Sequence, residues 1–172
     1  MNPKLEENHS NFWSEQLGQR GEFWVVLQGL LLLGLLLLPP IPVMKVSYDA
    51  DLVQYGIGAI SIVLGVTAFI LILKGLIDLG QNLTPFPYPK ENGTLIKTGI
   101  YGVVRHPLYS GLIFAALGWT IFQLSVSHLL GTIILFIFLD LKGRQEENWL
   151  QQKYPEYQEY CSQVKKLIPW IY

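Results

Sequence analysis

Long uncharged stretches alternate with short polar ones along this chain. FWVVLQGLLLLGLLLL (23–38) and LVQYGIGAISIVLGVTAFILIL (52–73) contain no Asp, Glu, Lys or Arg, and neither do LYSGLIFAALGWTIFQL (108–124) and VSHLLGTIILFIFL (126–139). A helix that crosses a bilayer needs about 20 apolar residues, with about 17 as a lower limit. The second stretch meets that directly, and the first does so by recruiting IPVM beyond its prolines. The third and fourth are short and joined by almost nothing, the pattern of a helical hairpin that sits shallow or tilted. Four such runs in 172 residues predict an all-α integral membrane protein with about four transmembrane helices, the last two a short hairpin. Beyond residue 140, LKGRQEENWLQQKY keeps a helical pattern, breaks at Pro155 and resumes in EYQEYCSQVKKLIPW. This predicts a cytosolic helical C-terminal segment, with tyrosines among charges as on an interfacial helix.

The breaks carry their own information. PPIP (39–42) ends the first helix, because each ring removes a donor and restricts the residue before it. Residues 1–22 are polar, with room for an interfacial helix around 11–20. Their length and acidity, and the lack of a small-residue cleavage site after the first run, make that run a permanent span rather than a signal peptide. The loop NLTPFPYPKENGTLIKTG (82–99) is too long for a tight connection, and loops of that kind are functional or disordered. Its Pro85, Phe86, Pro87 and Tyr88 are expected to lie on something apolar, as a lid or as a surface strap. The chain therefore divides into residues 1–80, with two spans, and residues 81–172, which carry the candidate chemistry.

Charge sets the orientation. With the N-terminus inside, Lys45 is the one cation in an outer loop, while Lys4, Arg20, Lys90, Lys97, Arg105, Lys142, Arg144, Lys153, Lys165 and Lys166 fall inside. That asymmetry follows the positive-inside rule and places both termini and the RHP stretch on the cytoplasmic face. Asn82 and Asn92 match a glycosylation pattern but lie on that same face, so both are chance matches. Only 15% of residues are charged and the net charge is −1, which argues against a nucleic-acid partner. The single cysteine, Cys161, excludes an internal disulfide and a thiolate metal cluster and reads as a half-buried helical residue. No metal is expected.

The chemistry gathers in GIYGVVRHPLYSG (99–111). Pro107 holds His106 away from helical geometry and suits a first helical position, so His106 is placed at the N-cap of the third span. Arg105 precedes it, Tyr109 lies one turn in, and Gly111 lets another backbone or a ligand approach closely. Two readings are open: an anion site of arginine, imidazole and helix N-terminus, or a topology anchor beside a cap. A second cluster, KGRQEENWL (142–150), puts Asp140, Arg144 and Glu147 on one helix face, with Lys142 and Glu146 as a further pair. It reads either as a salt-bridged helix end or as carboxylates returned by the short hairpin to the depth of Arg105. The second arrangement suits a zwitterionic ligand.

Together, G-x-Y-x-x-x-R-H-P-x-Y-x-G, a hairpin, R-x-E-E-x-x-L, Y-x-x-Y and a terminal I-P resemble the isoprenylcysteine carboxyl methyltransferase and phospholipid methyltransferase superfamily of membrane enzymes. The resemblance spans roughly residues 82–170. It implies an S-adenosylmethionine-dependent methyltransferase whose active site lies at the membrane–cytosol boundary and whose lipidic or isoprenylated acceptor enters from the bilayer. It further implies that Arg105, His106 and Tyr109 hold the amino-acid end of the cofactor or the acceptor. Glu146 and Glu147 would take its ammonium or ribose hydroxyls, Tyr101 would line the tunnel, and Arg105 and Glu147 would be the catalytic pair. Glu147 or His106 would serve as base for an amine acceptor. Eukaryotic members of the family have more spans, so the lipid-access surface is expected to differ here, and the family name does not assign the acceptor. The rival readings are an NADPH-dependent reductase of the sterol-reductase type and a non-enzymatic membrane adaptor.

Overall fold

The computed structural model describes residues 21–42, 51–84 and 86–172. The expected helix around 11–20, the outer loop at 43–50 and Pro85 lie outside the described residues. Among the described residues five α-helices follow in order: α1 (Glu22–Leu37), α2 (Asp51–Leu79), α3 (Pro107–Gln123), α4 (Val126–Lys153) and α5 (Tyr157–Gln163), with 3-10 turns at Gly80–Asn82 and Gly99–Gly102. The described residues hold no strand beyond two isolated bridges, Pro42 with Ser125 and Val104 with Lys165. Among them, two helices are long and apolar enough to cross a membrane: Leu52–Asn82, mean hydropathy 2.6, and Val126–Lys153, mean hydropathy 1.6.

Helix α1 ends ahead of PPIP, as expected, but the described residues after the prolines that were to lengthen the span do not continue it. It stops at Leu37, and Ile41 and Pro42 run extended instead of prolonging it, because consecutive prolines remove helix donors. This extended piece docks on the tip of the α3–α4 hairpin. Val126 N donates to Ile41 O at 2.8 Å, Ile41 N donates to Ser125 Oγ at 3.2 Å, and Ser127 Oγ donates to Pro39 O at 2.7 Å. The tip turns through Leu124 in the left-handed region (φ 45) and starts α4 with Ser125, whose hydroxyl accepts from His128 N at 3.3 Å. Thr120 and Thr132 join their hydroxyls across the buried hairpin at 2.9 Å. Helix α4 then continues through the polar stretch without a break to Lys153.

Helices α2 and α3 share the most extensive packing in the described residues, and glycine makes it possible. A Cβ on Gly111 would lie 2.5 Å from Ile72 Cγ1 and 3.0 Å from the Ala68 carbonyl oxygen; on Gly118 it would lie 3.2 Å from both Leu64 Cβ and Ser61 O. Gly75 takes the reverse role against Leu108 and Pro107. The pairs 75–107, 72–111 and 64–118 run in opposite directions, so the helices are antiparallel. Close backbone approach through small residues is how helices associate where lipid removes the hydrophobic drive between them. The outer faces agree with that solvent. Leu52, Ile62, Val63, Phe69 and Ile77 of α2 are all more than half exposed, a surface water would not tolerate at this extent. Against the other side of α4, Trp24 of α1 meets Phe138 with ring centroids 5.5 Å apart.

The C-terminal tail folds back into the bundle. Tyr157 and Tyr160 were expected on an interfacial face, but both are buried, because α5 packs inward beneath the RHP segment. Past α5, Arg105 N donates to Lys165 O at 2.8 Å and His106 N to Lys166 O at 3.1 Å, and Ser110 Oγ donates to Leu167 O at 2.6 Å. Leu167 is fully buried. Lys166 Nζ reaches both the carbonyl and the carboxylate of Asp140 at 2.7 Å, and Tyr172 OH donates to that carboxylate at 3.0 Å.

Candidate active site

The 3-10 turn before α3 is fixed from α2. Asp78 Oδ2 accepts from Ile100 N at 2.7 Å, and Gly99 holds φ 62 beside it, where a Cβ would fall 2.2 Å from the same oxygen. Tyr101 is thereby turned inward, with its hydroxyl directed at Gly75 O at 3.4 Å and its own carbonyl accepting from Tyr160 OH at 2.6 Å. Burial pushes both phenols well above their ordinary pKa, so they stay protonated donors. Pro107 opens α3 at its first position with His106 at the N-cap, as expected, but the His106 side chain makes no capping bond. Its ring instead points toward α4.

There it meets both glutamates. Arg105 Nε donates to Glu147 Oε1 at 2.8 Å, and His106 Nε2 lies 3.1 Å from the same oxygen. His106 Nδ1 is 3.6 Å from Glu146 Oε2, to which Tyr109 OH donates at 2.8 Å. The His106 and Tyr109 rings stack at 5.2 Å, 4° from parallel. Arg105 Nη1 donates to the carbonyls of Cys161, at 3.1 Å, and Val164. The guanidinium is thus committed to a carboxylate and to the tail. Gly143 leaves room for this: a Cβ there would sit 3.0 Å from Lys166 Cε and 3.5 Å from His106 Nε2. Cys161 is a half-buried helical thiol, pushed above its ordinary pKa by burial.

A cavity of about 260 Å³ opens beside this network, just below the roughly 300–1,000 Å³ of small-molecule sites. Tyr101, Arg105, His106, Tyr109 and Glu146 all line it, while Glu147 lies behind Arg105 and lines a separate cleft. The loop after α2 roofs the cavity and is tied down. Tyr154 OH donates to Gly93 O at 2.6 Å, Lys153 Nζ donates to the carbonyls of Lys90 and Glu91, Thr94 N donates to Asn82 Oδ1 at 2.8 Å, and Tyr88 meets Trp149 edge to face.

Several lining residues escaped the sequence reading. Lys142 was expected to pair with Glu146; instead its buried ammonium donates to Gln28 Oε1 of α1 at 2.5 Å and lies 5.1 Å from the Tyr109 ring centroid. Gln28, Tyr154, Tyr157 and Tyr160 complete the lining. Only the Y-x-x-Y spacing hinted at any of them. Arg144 keeps its expected partner Asp140 at 2.8 Å, while Glu147 leaves that face for Arg105. Both signs of charge, several phenols and an apolar wall of Leu79, Leu95, Leu112 and Leu150 therefore meet in one cavity.

The phospholipid methyltransferase family matches residues 53–157. A probable protein-S-isoprenylcysteine O-methyltransferase of Oryza sativa is 32% identical over 84 residues, covering 48% of this chain and 44% of its own. A delta(14)-sterol reductase of Mus musculus is 36% identical over 83 residues, covering 45% of this chain and 20% of its own. The chain thus matches less than half the length of these relatives. Among solved structures, the eukaryotic intramembrane Ras methyltransferase (isoprenylcysteine carboxyl methyltransferase) superposes with a TM-score of 0.61 at 22% identity, over 67% of this chain and 43% of its own. That likeness shows a shared fold.

Proposed function

The chain belongs to the phospholipid methyltransferase family, and on that premise we propose that it is a membrane enzyme transferring a methyl group from S-adenosylmethionine to a lipidic or isoprenylated carboxylate or amine. In this reading four helices span the bilayer, both termini are cytoplasmic, and the cavity opens at the membrane–cytosol boundary. The observation that carries it is the cavity itself, which joins Glu146, committed cations, phenols and an apolar wall beside helices with lipid-type outer faces.

The cavity suits a zwitterion with an aromatic base. Glu146 is the carboxylate on the lining and would take an ammonium or ribose hydroxyls; Lys142 and the Arg105 edge would face the carboxylate. Tyr88 and Leu150 offer flat and apolar surface for the adenine. When bound, the cofactor supplies a methyl group on a sulfonium, an activated leaving group. The protein's own part is positioning and charge placement. Glu147 holds Arg105 and His106 from behind and acts through them. A carboxylate acceptor needs no base; for an amine, His106 is the base on the lining, oriented by Glu147 at Nε2. The tied roof keeps water from the reacting centre.

The sterol reductase likeness favours a second reading, an NADPH-dependent reductase. Against it, the three cations on the lining are already held: Arg105 by Glu147, Lys142 by Gln28 and Lys90 by Gln81 O. A 2′-phosphate dianion asks more of these shared cations than the single carboxylate of S-adenosylmethionine does. Thermal stability of the purified protein separates the readings. S-adenosylhomocysteine is expected to raise the Tm and NADPH to leave it unchanged. The reverse result makes the protein a reductase, and no response to either ligand makes it a binding adaptor.

A further inference from the structure

Behind Arg105, away from the cavity, lies an open cleft of about 440 Å³ walled by Arg144, Lys165, Lys166 and Tyr172, with the Arg105–Glu147 pair at its back. Two of its four cations are spent: Arg105 on Glu147 and Lys166 on Asp140. Arg144 gives Nε to Asp140 at 2.8 Å and also bonds the Tyr172 side chain, yet its own side chain is 64% exposed. Lys165 is exposed, and its ammonium bonds no described residue. Among the described residues of the cleft Lys165 is thus the cation without a partner, and Arg144, though paired, stays exposed.

The surface leading to this cleft is apolar. Leu130, Ile134, Ile137 and Leu141 are each at least half exposed and fall on successive turns of one face of α4; Arg144 continues that face. From Leu141 to Arg144 the helix rises about 4.5 Å, so the change from apolar to cationic is abrupt. Trp170 and Ile171, 81% and 76% exposed, project from the neighbouring tail turn. Tryptophan beside cations at the end of an apolar face is the pattern of a headgroup boundary.

We propose that this cleft binds the headgroup of an anionic phospholipid, with the phosphate at Arg144 and Lys165, an acyl chain along Leu141, Ile137 and Ile134, and Trp170 in the interface. A soluble anion would use the two cations but leave the ridge and Trp170 without a role. The proposal rests on the placement of the protein in a bilayer, not on methyl transfer.

Protein reconstituted in equimolar phosphatidylcholine and phosphatidylglycerol is re-extracted, and its retained lipid is quantified by mass spectrometry. Wild type is expected to retain phosphatidylglycerol about 25-fold over phosphatidylcholine, at about 1 kcal/mol for each of the two cations. The enrichment should shrink at high salt and fall roughly fivefold for each cation removed in Lys165→Gln and Arg144→Gln, at about 1 kcal/mol per cation. Lys165→Gln, whose side chain bonds nothing described, carries the test if Arg144→Gln fails to fold. Retention in the ratio of the mixture, or enrichment unchanged in a folded Lys165→Gln, overturns the proposal. Displacement of the phosphatidylglycerol by millimolar inorganic phosphate also overturns it, assigning the cleft to a soluble anion. The readout needs no methyl transfer, so it stands if the enzymatic reading fails; failure of membrane placement shows separately, as no retained lipid of either kind.

Discussion

Replacing Arg105 with lysine keeps the charge and removes the fork. Three bonds depend on that fork: Nε to Glu147 at 2.8 Å and Nη1 to the carbonyls of Cys161 and Val164. A lysine ammonium is a point donor and reaches either the carboxylate or the tail, not both. The guanidinium is ionised, so all three bonds are charge-assisted, and each contributes about 1.5–3 kcal/mol. The Arg105 and Glu147 side chains are 11% and 13% exposed, so solvent screening reduces these values little. Loss of two of them costs about 3–6 kcal/mol in the ligand-free protein. At about 2–4 °C per kcal/mol for a chain of this size, the Tm falls by roughly 6–24 °C. Because the same guanidinium lines the cavity, affinity for S-adenosylhomocysteine is expected to fall about tenfold or more, which is about 1.4 kcal/mol or more. Thermal unfolding in detergent across a ligand titration measures both effects. A topology anchor would lose neither, and an arginine that only grips ligand would keep its ligand-free Tm. A folded Arg105→Lys protein with wild-type Tm and wild-type ligand affinity would refute the reasoning.

The glutamates should separate by role. Glu146→Gln weakens S-adenosylhomocysteine binding about tenfold with little change in ligand-free Tm, whereas Glu147→Gln, which strips Arg105 of its charged partner, lowers that Tm by roughly the cost of one charge-assisted bond, about 1.5–3 kcal/mol; equal behaviour of the two in a melting series counts against the assignment. Gly111→Val drives side-chain atoms into Ile72 and the Ala68 carbonyl and costs about 1–3 kcal/mol, while Gly56→Val, with nothing within 4 Å of its Cβ position, leaves stability nearly unchanged; similar melting of the two variants would contradict the packing. In a Cys161→Ser background, Asp49→Cys is expected to label with an impermeant thiol reagent from outside intact cells and Asn92→Cys only after permeabilisation; the opposite pattern inverts the topology.

Local rules made several elements readable from sequence alone. Pro107 announced the start of α3 and the N-cap position of His106, the break at 124–125 announced the hairpin, and PPIP announced the end of α1. Gly111 was flagged for close approach, and its neighbour proved to be α2. The gathering of Tyr101, Arg105, His106, Tyr109 and Glu146 on one cavity also follows the spacing of the motifs across a short hairpin. Partnerships distant in sequence were hidden. Periodicity reports which face of a helix is apolar, not what meets it, so Lys142 was assigned to Glu146 four residues on rather than to Gln28, 114 residues earlier. The tyrosines of α5 looked interfacial because their neighbours are charged, yet Tyr157 and Tyr160 turn inward under Arg105. The split between Glu146 on the cavity and Glu147 behind it depends on which way α4 is rotated, and adjacent carboxylates give no sequence cue to that.

The backbone clasp between residues 104–106 and 165–166, together with the Arg105 bond to Val164 O, 59 residues away in sequence, also sets an order of events during synthesis. At about 5–20 residues per second, roughly 3–12 s separate the translation of Arg105 from that of its tail partners. On the proposed topology, the nascent chain carries an arginine and a histidine at the membrane surface throughout that interval with their backbone donors open, and α3 and α4 insert before those donors are met. Completion of the pocket is therefore a late step of biogenesis, distinct from insertion. A chain released before residue 164 would, on that topology, leave an inserted bundle whose pocket is still unsealed.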